Sequence, residues 1–146
     1  MRNSKTGKDD VKLVDVLNQA LKLEYSFVVH YPRLANAVKD EKAKELVLQL
    51  GTDSIHHADV VADAITESGG EPDWYFELYP EDKDIITIFE EQLEKEKIAL
   101  ELHQLCMNMV SSNKLKQKFK KIALEEAYHI QSVDKILEIL TANQQK

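Results

Sequence analysis

Residues 119–137 read FKKIALEEAYHIQSVDKIL, and this stretch decides the fold. On a helix of 3.6 residues per turn, Phe119, Ile122, Ala123, Ile130 and Val133 share one face, as neighbours of Glu126 at i±3, i±4 and i±7 do. The remaining member of that face is His129. A carboxylate in an apolar stripe is costly unless it is paired, protonated or bound to a cation. Glu126 and His129 therefore form a Glu-x-x-His element whose two side chains reach one interior point from about one helical turn apart. Glu125 faces Lys118, Lys121 and Ser132 and is read as a surface residue.

Working outward, the same test selects three more inward polar residues. Glu24 lies among Leu17, Ala20, Leu21, Phe27, Val28 and Tyr31, with no charge among them. Glu96 lies among Phe89, Leu93, Ala99, Leu100 and His103, together with Gln92, whereas Glu94 and Glu101 sit among polar neighbours. His57 belongs to a stripe of Leu50, Ser54, Val61 and Ala64, while His56 faces Gln49, Thr52, Asp59 and Asp63. Glu24, His57, Glu96, Glu126 and His129 thus point from four helices into one core. Carboxylate and imidazole together suit iron, manganese or zinc. Tyr31 and His103, one heptad beyond Glu24 and Glu96, are candidates for orienting these ligands, although ordinary packing explains them equally well.

The four helices are expected over about 10–38, 40–67, 82–110 and 114–142. Gly69-Gly70 marks the end of the second, and Ser111-Ser112-Asn113 separates the third from the fourth. Pro32 predicts a bend in the first helix rather than a break. Short joins make helices one and two, and three and four, antiparallel hairpins. The longer join carries Trp74, Tyr75, Phe76, Leu78 and Tyr79, which predicts a crossover packed along the bundle. A loose two-fold echo is visible: each hairpin has an acid on its first helix and a histidine element on its second.

At 146 residues the chain is expected to form one domain with a real core. Few Gly and Pro residues, 4 and 3, favour long helices over many-turned β structure. The net charge of −7 argues against binding nucleic acid or anionic membranes. A single cysteine, Cys106, excludes an intrachain disulfide and reads as a packed apolar residue. The polar N-terminus lacks the apolar core of a secretory signal, and no stretch is apolar enough to span a membrane, so a cytoplasmic protein is expected.

In these elements the chain resembles the ferritin-like superfamily, and most of all its bacterioferritin and rubrerythrin branch. The resemblance rests on L-x-x-E-Y ending at Glu24-Tyr25, on DSIHHADVVADAITESGG (53–70), on DIITIFEEQLEKE ending at Glu96, and on ALEEAYHIQSVDKIL (123–137). It implies an all-α antiparallel four-helix bundle, up-down-down-up, with a long crossover between helices 2 and 3. In that family each hairpin supplies a terminal Glu and a Glu-x-x-His, and six side chains hold two irons. By the resemblance, Glu24 and Glu96 would be terminal ligands, His57 and His129 would cap, and Glu126 would bridge.

The sixth position falls on Ser54, which cannot replace a carboxylate. Asp53 is the nearest spare acid, about 100° round the helix. Loss of one bridge predicts weaker or asymmetric binding and leaves an altered dinuclear site, a single-metal site and a metal-free relic all open. The position of the bacterioferritin haem-ligating methionine is Ile55, so no haem is implied. The short fifth helix of large ferritin cages is expected to be missing. With the rubredoxin-type cysteines also absent, the resemblance implies a separate electron donor. It further implies one or two iron ions (zinc or manganese as substitutes), reaction with oxygen or peroxide, and a homodimer.

Overall fold

The computed structural model describes residues 4–144, with side chains from Lys12 onward. Four helices account for most of the chain: α1 (Ser4–Ala37), α2 (Glu41–Glu67), α3 (Ile85–Met109) and α4 (Asn113–Gln144). α1 starts earlier than the expected position near residue 10, because the apolar periodicity that marks it begins only near Val11. α1 runs unbroken through Pro32. α2 begins after Asp40, whose carboxylate accepts the Ala43 N–H at 2.9 Å. α3 begins later than expected, because Asp84, not Asp82, caps it by accepting the Thr87 N–H at 2.9 Å.

The two glycines end α2 as expected. Gly69 takes φ +86°, its N–H bonds to the Thr66 carbonyl, and the Gly70 N–H bonds to that of Ile65. This pair of bonds closes the last turn through a left-handed residue, a conformation that glycine adopts without a Cβ penalty.

α1 packs on α2 and α3, and α4 packs on α3 and α2. The order of the helices follows from which parts meet. One apolar cluster joins Leu13, Leu17 and Leu21 of α1 to Val61 and Ile65 of α2, Cys106 of α3 and Phe119 of α4. A second joins Phe27, Tyr31 and Leu34 to Val47 and Leu50, Phe89 and Ala99, and Val133 and Ile136. The early part of α1 thus meets the late parts of α2 and α3 and the early part of α4, which is the up-down-down-up arrangement. Among the described residues no helix is long and apolar enough to cross a membrane.

The crossover is pinned to α1. Asn18 accepts the Asp73 N–H, Ser26 accepts the Glu77 N–H, and His30 donates to the Glu77 carbonyl at 2.6 Å. Tyr25 makes edge contacts with both Trp74 and Phe76. The packing is one-sided, for Trp74, Tyr75 and Phe76 stay partly open and Leu78 is 89% exposed. Cys106 is fully buried, and burial pushes its thiol up to about 12, consistent with a packing role.

Candidate metal centre

Between the two apolar clusters lies a polar layer. Glu24 from α1, His57 from α2, Glu96 and His103 from α3, and Glu126 and His129 from α4 are all buried there. The structure therefore brings together the five residues singled out from the sequence and adds His103 to them. His57 Nδ1 donates to Glu126 Oε1 at 3.0 Å and lies 3.5 Å from Glu24 Oε2. His129 Nδ1 lies 3.6 Å from both Glu96 Oε2 and Glu126 Oε2. Glu126 is common to both groups and occupies the middle.

Further residues hold this layer from outside. Tyr31 donates its hydroxyl to Glu96 Oε2 at 2.8 Å, and His103 Nε2 donates to Glu24 Oε2 at 2.8 Å. Asp53 accepts from His129 Nε2 at 2.9 Å, and Glu125 accepts from His57 Nε2 at 3.1 Å. One expectation is corrected here, and Asp53, left open by the sequence, is placed. Glu125 is part-exposed but is not a free solvated charge: it is the outer partner of His57, which lies on a neighbouring helix that its own helical neighbours do not reveal. Asp53 does not stand in for the missing acid at Ser54, since its carboxylate lies behind His129, on the far ring nitrogen from Glu126. Ser54 is fully buried and its hydroxyl has no partner.

A regular correspondence underlies the arrangement. Glu24 and Glu96, Tyr31 and His103, Asp53 and Glu125, Ser54 and Glu126, and His57 and His129 are each 72 positions apart. The two hairpins contribute equivalent positions, and the chemistry differs outright at two of them: Ser54 against Glu126, and Tyr31 against His103. The constant offset was the available signal for Asp53, Glu125 and His103. The close approach of α1 and α2 at this level depends on Gly51, where a Cβ would come within 3.3 Å of the Tyr31 Cβ.

Electrostatics set the protonation of the metal-free layer. Burial alone would raise Glu24, but hydrogen bonds from His103 and His57 outweigh it and hold the carboxyl down near about 2. Glu96 goes the other way, raised to about 8 by burial and by the charge of Glu126. Burial disfavours charge on the imidazoles, but carboxylates override it. Glu126 and Glu24 raise His57 to about 11, and Glu126 and Glu96 raise His129 to about 12. His57 bonds a carboxylate through each ring nitrogen, as only an imidazolium can do. Protons on these rings occupy the metal-facing nitrogens.

The residues fit a cation. Glu24 Oε1, Glu96 Oε1, Glu126 Oε2, His103 Nδ1 and His129 Nδ1 are buried without any hydrogen-bond partner. Buried polar atoms are rarely left unpaired, and a cluster of carboxylate and imidazole atoms in one layer is a metal-ligand set. Two groups, His57–Glu126–His129 and Glu24–His103–Glu126, each have ligand atoms within 4.8 Å of one another.

An antiparallel bundle enclosing such a layer defines a ferritin-like protein of the carboxylate–histidine class. The chain belongs to the rubrerythrin family, whose model matches residues 15–137. Its backbone is similar to a ferritin-like diiron-carboxylate protein from Bacillus anthracis str. Ames (TM-score 0.79, 21% identity, covering 88% of this chain and 97% of that one). It is also similar to the Desulfovibrio desulfuricans bacterioferritin (TM-score 0.74, 22% identity, 97% and 86%). A third likeness is to a dodecameric thioferritin, the bacterioferritin-related protein of Bacteroides fragilis (TM-score 0.73, 21% identity, 93% and 90%). These likenesses establish the fold. No curated protein matches the chain in sequence.

Proposed function

We propose that this protein binds iron in the core layer through Glu24, His57, Glu96, Glu126 and His129, and that the bound iron reacts with oxygen or peroxide. The observation that carries this reading is the convergence of unpartnered buried carboxylate and imidazole atoms from the helices. Glu126 would serve both sides of the site, Glu24 and Glu96 would close its two ends, and His57 and His129 would present Nδ1. Asp53 and Glu125 would orient those two rings from outside. Iron there would supply electrons to the oxidant, and a separate donor protein would restore them.

The test is tightly bound iron per chain after anaerobic Fe(II) loading and desalting, followed by exposure to oxygen and to peroxide. About two irons would mean an altered dinuclear site, and about one a mononuclear site. No iron, with zinc and manganese also failing to bind, would refute the reading and leave a structural bundle.

Buried Ser54, with its unpartnered hydroxyl, favours a second reading in which the protein holds metal without oxidase activity. Ser54→Glu separates the two. A gain in iron stoichiometry and oxidation rate would mean the natural site has lost chemistry, and impairment would mean Ser54 suits a present activity. The resemblance also carries a homodimer, which sedimentation of the purified chain would test.

A further inference from the structure

The layer is not symmetric, and its asymmetry has a direction. On the side of Glu96 and His129, among the described residues, the nearest carboxylate is the shared Glu126, through which His57 also groups with His129. With His57 assigned to the other side, this set is one imidazole and two carboxylates. On the other side, Glu24 and His57 meet Glu126 and also His103. His103 Nε2 is 2.8 Å from Glu24 Oε2 and 4.0 Å from Glu126 Oε1, the same oxygen that His57 Nδ1 contacts at 3.0 Å. The His57 and His103 ring centres are 6.1 Å apart. Both imidazoles are fully buried.

We propose that His103 is itself a metal ligand, and that with Glu24, His57 and Glu126 it forms a two-imidazole, two-carboxylate position that fills before the Glu96–His129 position. The inference rests on the metal-binding reading above and deepens it. The hairpin that lost a carboxylate at Ser54 faces a hairpin that carries an imidazole where its counterpart has Tyr31. The substitution at 103 restores a donor close to Glu126, from the α3 side rather than from α2. Four protein donors without a second bridging carboxylate suit one divalent ion held tightly, with iron or zinc preferred over the harder magnesium or calcium.

The competing role for His103 is orientation: it donates to Glu24 much as Tyr31 donates to Glu96. Counting imidazoles with and without each histidine distinguishes the two roles. The full chain is loaded with half an equivalent of Co(II) or Zn(II), and X-ray absorption at the metal edge gives the number of coordinated rings. The expected result is two rings per metal in the natural chain, because the His57–His103 position fills first.

His103→Gln keeps an N–H donor for Glu24 but removes the imidazole. It should drop the count to one and weaken the first binding event by more than about 100-fold, beyond the 10–100-fold typical of losing an orienting partner. Melting of the metal-free variant checks that it folds, and His129→Gln, which should leave the count at two, excludes a His57–His129 pair as its source. A drop to one ring in His129→Gln would overturn the role of His103. One ring per metal in the natural chain, or an unchanged count and affinity in His103→Gln, would overturn the role of His103 and leave metal binding intact. No bound metal in either chain would overturn both.

Discussion

Glu96 gives the sharpest prediction, because it sets function against stability in the same side chain. Its carboxyl rises from an ordinary 4.5 to about 8, through burial first and the charge of Glu126 second. Between those values the folded chain holds a proton that the unfolded chain releases. Metal-free stability therefore falls as pH rises, by about 1.4 kcal/mol per pH unit. At pH 7 the cumulative cost is about 3 kcal/mol, and above pH 8 it levels off near about 5 kcal/mol. Glu96→Gln removes the titration while keeping an oxygen to accept the Tyr31 hydroxyl and an N–H to donate toward Glu126.

Metal-free Glu96→Gln should therefore be more stable than the natural chain, by less than about 1 kcal/mol at pH 5 and by about 3 kcal/mol at pH 7. At pH 7 that is a rise in Tm of roughly 10 °C for a chain of this size. Urea unfolding in chelator at the two pH values reads the difference directly. The same variant should lose metal affinity at the Glu96–His129 position. A gain that does not grow with pH, or a loss at both values, would refute the picture of Glu96 as a carboxylate held in place for a cation.

Three other outcomes are expected. His57 and His129, raised to about 11 and about 12, must release protons before Nδ1 can bind an ion. Apparent metal affinity should rise between pH 6 and 8, about tenfold per pH unit for each ring deprotonated, as measured by titration calorimetry. Those raised values stabilise the metal-free fold fully below about 6.5, and the benefit fades as pH climbs toward them. Its Tm should fall from pH 6 to 9, while that of the metal-loaded chain does not follow. Asp53→Asn should weaken metal binding about 10–100-fold by releasing His129, with little change in Tm if Asp53 acts only on the ring.

Helical periodicity was enough to find Glu24, His57, Glu96, Glu126 and His129, because each interrupts an apolar stripe on its own helix. It could not find Glu125, whose helical neighbours include Lys118, Lys121 and Ser132 and whose partner, His57, comes from α2. Asp53 escaped for the same reason, being defined by His129 across the helix interface. His103 was legible as a buried polar residue, but its proximity to Glu24 and Glu126 is a property of how α3 lies against α1 and α4. The helix ends show a similar divide. Gly69-Gly70 encodes a stop in its own chemistry, whereas the start of α3 depended on which of several acids could reach a backbone N–H three residues on.

The polar layer is closed on most sides, and its outermost members are Asp53 and Glu125, whose side chains are 27% and 29% exposed. Both lie where α2 meets α4, and each is bonded to the outer nitrogen of a buried imidazole. That gives the interior a doorway with two carboxylates on its threshold. A cation arriving from water meets negative charge first, and the protons it displaces from Nδ1 of His57 and His129 would have to leave past the same two carboxylates. Loading and deprotonation then become one kinetic event, and slowed uptake in Asp53→Asn, beyond its loss of affinity, would be its signature.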